Sequence, residues 1–467
     1  MFAAVAVLAY HASPRRYRHL AVLPALNLWF LLSQAPSWVQ VIPIAVFLSV
    51  GYLWMRVLAR RPTRRHALLA CASVILLFVY LKQYAFVRVL PPLAWPYMVV
   101  GLSYMLFRVL HLLVDIYGRE LPGDVSLLSF FNYTCFFPSL ISGPIQRYQD
   151  FEAQAQSHRA DTLDRWDVLK ACSRLVDGLL KIAVVSAGFS AMHEWAATRL
   201  AGVNPYPVTL YFGVACFSYT FYLYWNFVGY MDVVIGLGAL LGFSLPENFD
   251  RPFASTSFLE FWSRWHITLS NWFKLYVFNP LLKGLVYRWP GPRRTPYLGV
   301  AAFFCTFLLM GMWHGAGSMY VLYGLWLGAG VSLNKLYEVE MRHRLGHVRY
   351  TRLANHALYG LIGSGLVCSY FSVALTCLWA DETLAGRLAH GIGIAGLLEV
   401  FSAGILVTVV LRGLGVACAP LFRRRSRTGD RRRYITRQIW LSARVVALSV
   451  FLLLHLYSTP EFVYKAF

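Results

Sequence analysis

Acidic residues are scarce in this chain: 21 Asp and Glu stand against 43 Lys and Arg in 467 residues, a net charge of +22. Charged residues of both signs make up only 14%, where an ordinary soluble domain carries about 25%. That deficit excludes intrinsic disorder, and it excludes two or three average soluble domains, the number this length would otherwise suggest. Cysteine is also sparse. The eight cysteines lie almost entirely in apolar stretches, and none forms a C-x-x-C pair. A zinc site or disulfide framework needs close pairs in polar loops, so these read as small buried hydrophobes. The chain has no G-x-S-x-G elbow and no P-loop, so the serine-hydrolase and phosphate-loop readings have no support. It has no internal repeat of the transporter kind, and nothing alternates as a membrane barrel would. Met1–Ala12 is a short apolar stretch followed by basic residues, the reverse of a signal peptide's order, so no cleaved leader is expected.

What the chain has in abundance is apolar surface. Hydrophobic residues make up 58% and mean hydropathy is +0.53, which a soluble fold has nowhere to bury. The composition predicts an integral membrane protein. Its basic residues cluster in short runs between apolar segments, at Pro14–His19, Arg60–His66, Arg342–Arg352 and Arg423–Arg437. That is the pattern of cytoplasmic loops, and no soluble reading domain accompanies it, so nucleic acid is not an expected partner.

A spanning helix needs about 20 mainly apolar residues. Leu20–Leu58 suffices for two, broken near Gln34–Ser37, and two spans return the basic runs on either side of it to one face. Apolar runs near 357–379 and 394–418 do the same further on. Ala67–Tyr80, Tyr97–Val114, Leu169–Ser190, Thr209–Phe243, Leu298–Met312, Met319–Leu336 and Ile439–Leu456 are further helical runs. The expectation is an all-α protein of about 10–12 membrane helices plus re-entrant segments, a count set by window length. Residues 129–151 are aromatic and end in Pro and Gly. They fit a buried re-entrant loop or an ordinary helix end at the interface.

Of the 13 histidines, most sit near basic runs or in polar loops. His343 and His347 have helical i,i+4 spacing, but Arg342, Arg344 and Arg349 around them would repel a cation, and no metal is expected. Two differ. His266 lies in Phe261-Trp262-Ser263-Arg264-Trp265-His266-Ile267-Thr268-Leu269-Ser270, a mixture that no lipid-facing helix is built from. His314 lies in Gly311-Met312-Trp313-His314-Gly315-Ala316-Gly317, between apolar runs. An ionisable residue at membrane depth is costly, so each is either functional or hydrogen-bonded between helices. Asn226, Gly229 and Asp232 recur at about one-turn intervals of a helix. Asp232 needs a partner among its apolar neighbours, and Arg251, Glu260 and Arg264 are the candidates. A histidine at such depth can act as general base on a hydroxyl that attacks an activated acyl group, a chemistry that needs neither metal nor protein nucleophile.

These motifs resemble the membrane-bound O-acyltransferase family, and most nearly its bacterial branch of alginate O-acetyltransferase membrane subunits and D-alanyl transfer proteins. The matching pieces are Gly229-Tyr230-Met231-Asp232, Pro246-Glu247-Asn248-Phe249, the segment from Phe261 to Ser270 and Met312-Trp313-His314-Gly315. Upstream, Gly101–Tyr104, Val114–Tyr117 and Phe136–Tyr148 are also similar, as is the ending Glu461–Phe467. The resemblance implies a ring of membrane helices around a central funnel, with residues 1–95 as N-terminal membrane helices and 96–467 as the acyltransferase core. It implies His314 as the catalytic histidine and His266 as a second one on the opposite wall. Asp232, Arg264, Trp265, Trp313, Asn248 and Ser270 are the supporting candidates. No bound cofactor is implied. The co-substrate would be an acyl thioester, acetyl-CoA or an acylated carrier protein, reaching the site from the cytoplasm. The acceptor would be a polysaccharide or other envelope polymer, the location the inner membrane, and a further partner an extracytoplasmic acyltransferase. The chain departs from alginate-type members where Lys274-Leu275-Tyr276 replaces their Arg-Asp-Tyr and the following double glycine is missing. Asn226 and Met231 also stand where such members often carry Asp and Ser. D-alanyl transfer, acylation of a lipid or peptide, and a transporter or flippase with a polar midplane site are the rival expectations.

Overall fold

The computed structural model describes residues 2–84, 87–93, 95–121, 125–157, 163–202, 207–423 and 444, with side chains described only to 412 in the last long stretch and at 444. The expected run Ile439–Leu456 apart from Arg444, the ending Glu461–Phe467 and most of the basic run Arg423–Arg437 lie outside the described residues. Within them the chain is helical, and its one ladder contact is an isolated antiparallel bridge between Phe249 and Trp265.

Seven helical stretches among the described residues are long and apolar enough to cross a membrane: Trp38–Arg60, Arg64–Leu81, Arg165–Ala201, Val208–Leu240, Thr295–His314, Ala357–Trp379 and Glu382–Arg412. The shorter helices explain why length arithmetic on the sequence gave more. Leu20–Leu58 does break near Gln34–Ser37, and its first half belongs to a helical run Arg15–Ser33 with a π-turn at Arg18–Val22, long enough to cross but basic at its start. Leu102–Tyr117 has 16 residues, 14 of them buried, so it is a core helix walled by protein on nearly every side. The Ser318–Ala354 and Glu382–Arg423 helices each turn at a glycine with positive φ, Gly346 at 75° and Gly393 at 58°.

The segment 129–151 takes the re-entrant form. Leu127–Thr134 is eight residues long, about 12 Å, and cannot cross. A 3-10 turn at Phe137–Ser139, fully buried, and irregular, mostly buried backbone follow. Backbone at that depth survives only if its polar groups are satisfied by protein. Arg108, 3% exposed in the core helix, does this: its guanidinium donates to the carbonyls of Tyr133 (2.9 Å), Thr134 (3.0 Å) and Ser139 (2.9 Å), and to the Ser139 hydroxyl. Asn27 adds an amide oxygen for the Phe137 N–H at 2.9 Å.

Candidate functional site

His266 and His314 reach the core by different local devices. Ser257 caps the short Phe258–Trp262 helix by accepting from Glu260 N. The chain then turns so that Trp265 pairs with Phe249 and Asp250 N donates to Arg264 O at 3.0 Å. His266 itself sits in left-handed backbone (φ 45°, ψ 52°), which costs a non-glycine residue about 1–2 kcal/mol and persists only where the surroundings over-determine it. What over-determines it is Asn248, which is fully buried. Its side-chain oxygen accepts from Thr268 N (3.1 Å) and the Thr268 hydroxyl (2.7 Å), and its carbonyl accepts from Ile267 N (3.0 Å). Thr268 in turn accepts from Ile145 N of the re-entrant loop at 3.0 Å. One asparagine and one threonine thereby lock the backbone on both sides of His266, whose ring meets Phe227 edge-on at 4.9 Å.

His314 ends the Thr295–His314 helix and is 7% exposed. Its ring lies 4.8 Å from that of Trp313 and 5.7 Å from that of Tyr323. Gly311 and Gly324 let this helix and the next touch backbone to backbone: a Cβ on Gly311 would fall 2.2 Å from the Gly324 Cα. The two histidines are close enough for charge on one to be felt at the other. Two segments distant in sequence thus place both imidazoles in one buried neighbourhood.

The supporting candidates divide. Trp313 is buried against Phe107 (4.8 Å) and Tyr104 (6.1 Å), immediately beside His314. Ser270 N donates to His266 O at 3.0 Å, and Ser270 lines a cavity of about 190 Å³ together with Trp262, Lys274, Thr306 and Met310. Met310 lies one helical turn before His314, and the buried Trp262 indole N–H has no acceptor among the described residues. Trp265 packs inside an aromatic cluster, stacked on Phe261 at 5.5 Å and meeting Phe371 at 4.9 Å. Arg264 reaches the Glu260 carboxylate at 3.0 Å and Asp250 at 3.7 Å, fastening the loop rather than entering the core.

Asp232 requires a correction. Its partners are not Arg251, Glu260 or Arg264 but Arg174, at 2.9 Å, and Lys181, both on the Arg165–Ala201 stretch. Arg174 also forks onto both Glu247 oxygens, at 2.7 and 2.6 Å. The helices come this close because Gly178 and Gly229 face each other, where a Cβ on Gly229 would fall 2.6 Å from Gly178 O. Arg251 instead pairs with its exposed neighbour Asp250. Since Glu247 precedes Asn248, this ion cluster anchors the segment that holds His266.

A second buried network was not foreseen from the sequence. His111 accepts from Tyr148 N on Nε2 (3.1 Å), which leaves its Nδ1–H facing the Tyr276 oxygen; Tyr276 donates to Asp115 (2.9 Å), and Asp115 pairs with Arg147 (3.2 Å). The i,i+4 spacing of His111 and Asp115 was the available signal.

The sequence model of the membrane-bound O-acyltransferase family matches residues 66–376, and the chain belongs to that family. Among curated proteins it is 30% identical over 339 residues to a probable alginate O-acetylase of Pseudomonas fluorescens, covering 70% of this chain and 62% of the relative. It is 29% identical over 235 residues to a teichoic acid D-alanyltransferase of Bacillus subtilis, covering 48% of this chain and 55% of that protein. To a peptidoglycan O-acetyltransferase of Helicobacter pylori it is 32% identical over 218 residues, covering 45% and 38%. The chain thus spans less than two thirds of the length of these relatives.

Proposed function

We propose that the protein is an O-acyltransferase of the inner membrane that moves an acyl group, acetyl in the first instance, from a thioester donor to hydroxyls of a cell-surface or exported polysaccharide. The observation that carries this reading is the shared neighbourhood of His266 and His314 in a chain of this family. In the proposed step His314 accepts the proton of an acceptor hydroxyl as its oxygen attacks the thioester carbonyl. The tetrahedral intermediate collapses, the C–S bond breaks, and the leaving sulfur takes the proton back from the imidazolium. His266, fixed by Asn248 and Thr268, faces the same space and supports the transition state. The cavity at Trp262, Ser270 and Met310 offers room for the donor's arm near His314. The basic loops mark the cytoplasmic face, from which acetyl-CoA or an acylated carrier protein arrives. An extracytoplasmic acyltransferase is a further proposed partner.

A second reading, D-alanyl transfer from a carrier protein, is favoured by the likeness to the teichoic acid enzyme. Purified protein in lipid nanodiscs, offered acetyl-CoA, acetylated carrier protein and D-alanylated carrier protein in turn with oligosaccharide acceptors, separates the two. Ester formed only from an acetyl donor supports the first reading, and ester formed only from the D-alanyl carrier supports the second. Acceptor movement across the bilayer without an ester from any donor would refute both in favour of transport.

A further inference from the structure

A second cavity lies apart from the one at Trp262 and Ser270. It is a cleft of about 480 Å³ among the Ser318–Ala354, Ala357–Ala374 and Glu382–Arg423 helices and the 256–258 segment, a volume of ligand size. Leu333, Ile362 and Leu366 line it and are 62%, 42% and 46% exposed, so it opens to the outside of the helix bundle. Two of its helices are apolar enough to cross a membrane, so what lies outside is lipid. Along one of them the cleft runs from Tyr359 to Tyr370, about 16 Å of helix. That is about half of a hydrocarbon core of about 30 Å, the depth of one leaflet.

The cleft is polar at one end only. Thr256, Ser257, Asn334 and Tyr370 line it, but each uses its side chain on the protein itself. Thr256 donates to the Glu260 carboxylate (2.9 Å), Ser257 accepts from Glu260 N (3.1 Å), Asn334 accepts from Leu259 N (3.1 Å) and Tyr370 donates to the Trp326 carbonyl (2.6 Å). At the other end the hydroxyls of Tyr337 and Tyr359 stand 3.3 Å apart. Tyr359 also contacts Tyr350, and the Arg342 guanidinium lies 5.3 Å from the Tyr350 ring. Glu338 is shared between Arg342 (2.8 Å) and Lys335 (3.1 Å), two cations to one carboxylate. This end adjoins the basic run at 342–352, which marks the cytoplasmic face. An apolar slot one leaflet deep that ends in hydroxyls and surplus positive charge has the polarity of a phospholipid, with its tail in the slot and its phosphodiester at the tyrosines.

The wall of the cleft is also the root of the His266 segment. Gly363 lets its helix touch the Thr256 backbone, where a Cβ would fall 2.2 Å from the Thr256 oxygen. Phe258 meets Tyr370 at 5.3 Å on one side and stacks on Phe261 at 5.7 Å on the other. Thr256 and Ser257 hold the first turn of the Phe258–Trp262 helix, and His266 follows four residues after that helix ends.

We propose that one phospholipid of the cytoplasmic leaflet occupies this cleft and steadies the 256–262 segment that leads into His266. The proposal does not depend on the transferase reading. The full chain, delipidated in detergent and given neither donor nor acceptor, is titrated with dioleoyl phosphatidylglycerol, dioleoyl phosphatidylethanolamine and dioleoylglycerol, and bound lipid is counted by native mass spectrometry. Wild type should bind one molecule of a phospholipid about tenfold more tightly than dioleoylglycerol, a difference of about 1.4 kcal/mol. Leu366→Trp, which fills the slot, should abolish this first binding, and Leu366→Ile should keep it. The double variant Tyr337→Phe with Tyr359→Phe should lower it to the dioleoylglycerol level. Hydrogen exchange of residues 256–262 should slow when the phospholipid binds wild type and stay unchanged in Leu366→Trp. A wild type that binds all three lipids alike overturns the proposal, and so does one that binds none tightly because a second copy or another part of the chain fills the slot. Neither comparison needs a variant. A Leu366→Trp protein that keeps the first lipid also overturns it, as does binding that leaves exchange at 256–262 unchanged. Lipid preference without ester formation from any donor would remove the transferase reading alone, and ester formation without lipid preference would remove this proposal alone.

Discussion

Thr268→Val is the sharpest probe of how the chain holds His266. Valine keeps the shape of threonine but removes the hydroxyl that accepts from Ile145 N at 3.0 Å and donates to Asn248 Oδ1 at 2.7 Å. The Ile145 N–H would be left unsatisfied beside a buried threonine site, which costs about 1–3 kcal/mol. Asn248 keeps its bond from the residue-268 N–H, so the loss should stay near 2 kcal/mol, about a thirtyfold change in the folded-to-unfolded ratio. Since those bonds also hold the left-handed backbone at His266, transfer should fall by more than stability alone explains. The assay pairs unfolding of the purified protein, followed by tryptophan fluorescence, with ester formation under conditions where all the protein is folded. Thr268→Ser, which keeps the hydroxyl, should restore both. A Thr268→Val protein with wild-type stability and transfer would refute the idea that this hydroxyl positions His266.

Other perturbations follow from the same geometry. Asp232→Asn removes the carboxylate shared by two half-buried cations, and losing hydrogen bonds to a charged group costs about 1.5–3 kcal/mol. Its yield of folded membrane protein on size-exclusion chromatography should fall steeply, and a wild-type yield would contradict the ion-cluster account. Gly311→Val sets a side chain against the Gly324 backbone, which only a shift of the whole helix relieves, so the cost should exceed the roughly 1–3 kcal/mol of ordinary overpacking and both transfer and melting temperature should fall. Arg108→Met removes the donors from three buried carbonyls of the re-entrant loop, and limited proteolysis should show new cleavage between 133 and 140. His266→Ala should lower transfer, and unchanged ester content would reduce His266 to a packing residue.

Much of this was legible in the sequence because membrane physics writes itself in local runs. The apolar stretch Thr209–Phe243 became the Val208–Leu240 helix, and the Pro and Gly at the end of the 129–151 segment marked backbone that leaves the helix. The tryptophan-rich segment and Trp313-His314-Gly315 stood out for the same reason, polar groups where lipid would forbid them. What escaped was long-range pairing. Asp232 finds Arg174 and Lys181 58 and 51 positions away, and no local pattern ranks them above the nearer Arg251. Arg108 lies in an apolar run, and its partners are carbonyls, which every residue carries, so no sequence pattern marks it. Tyr84 falls just past the end of a helix, and only the fold brings its hydroxyl to the Trp313 carbonyl.

The central claim is that His314 takes the acceptor's proton. The most direct measurement is mass spectrometry of surface-polymer esters from cells carrying wild type, a deletion, or His314→Ala, with membrane insertion of the variant verified by immunoblot. A general base contributes about 10²–10⁴-fold, so His314→Ala should lose the ester as completely as the deletion does. An ester that disappears in the deletion but persists in an inserted His314→Ala protein would contradict the account.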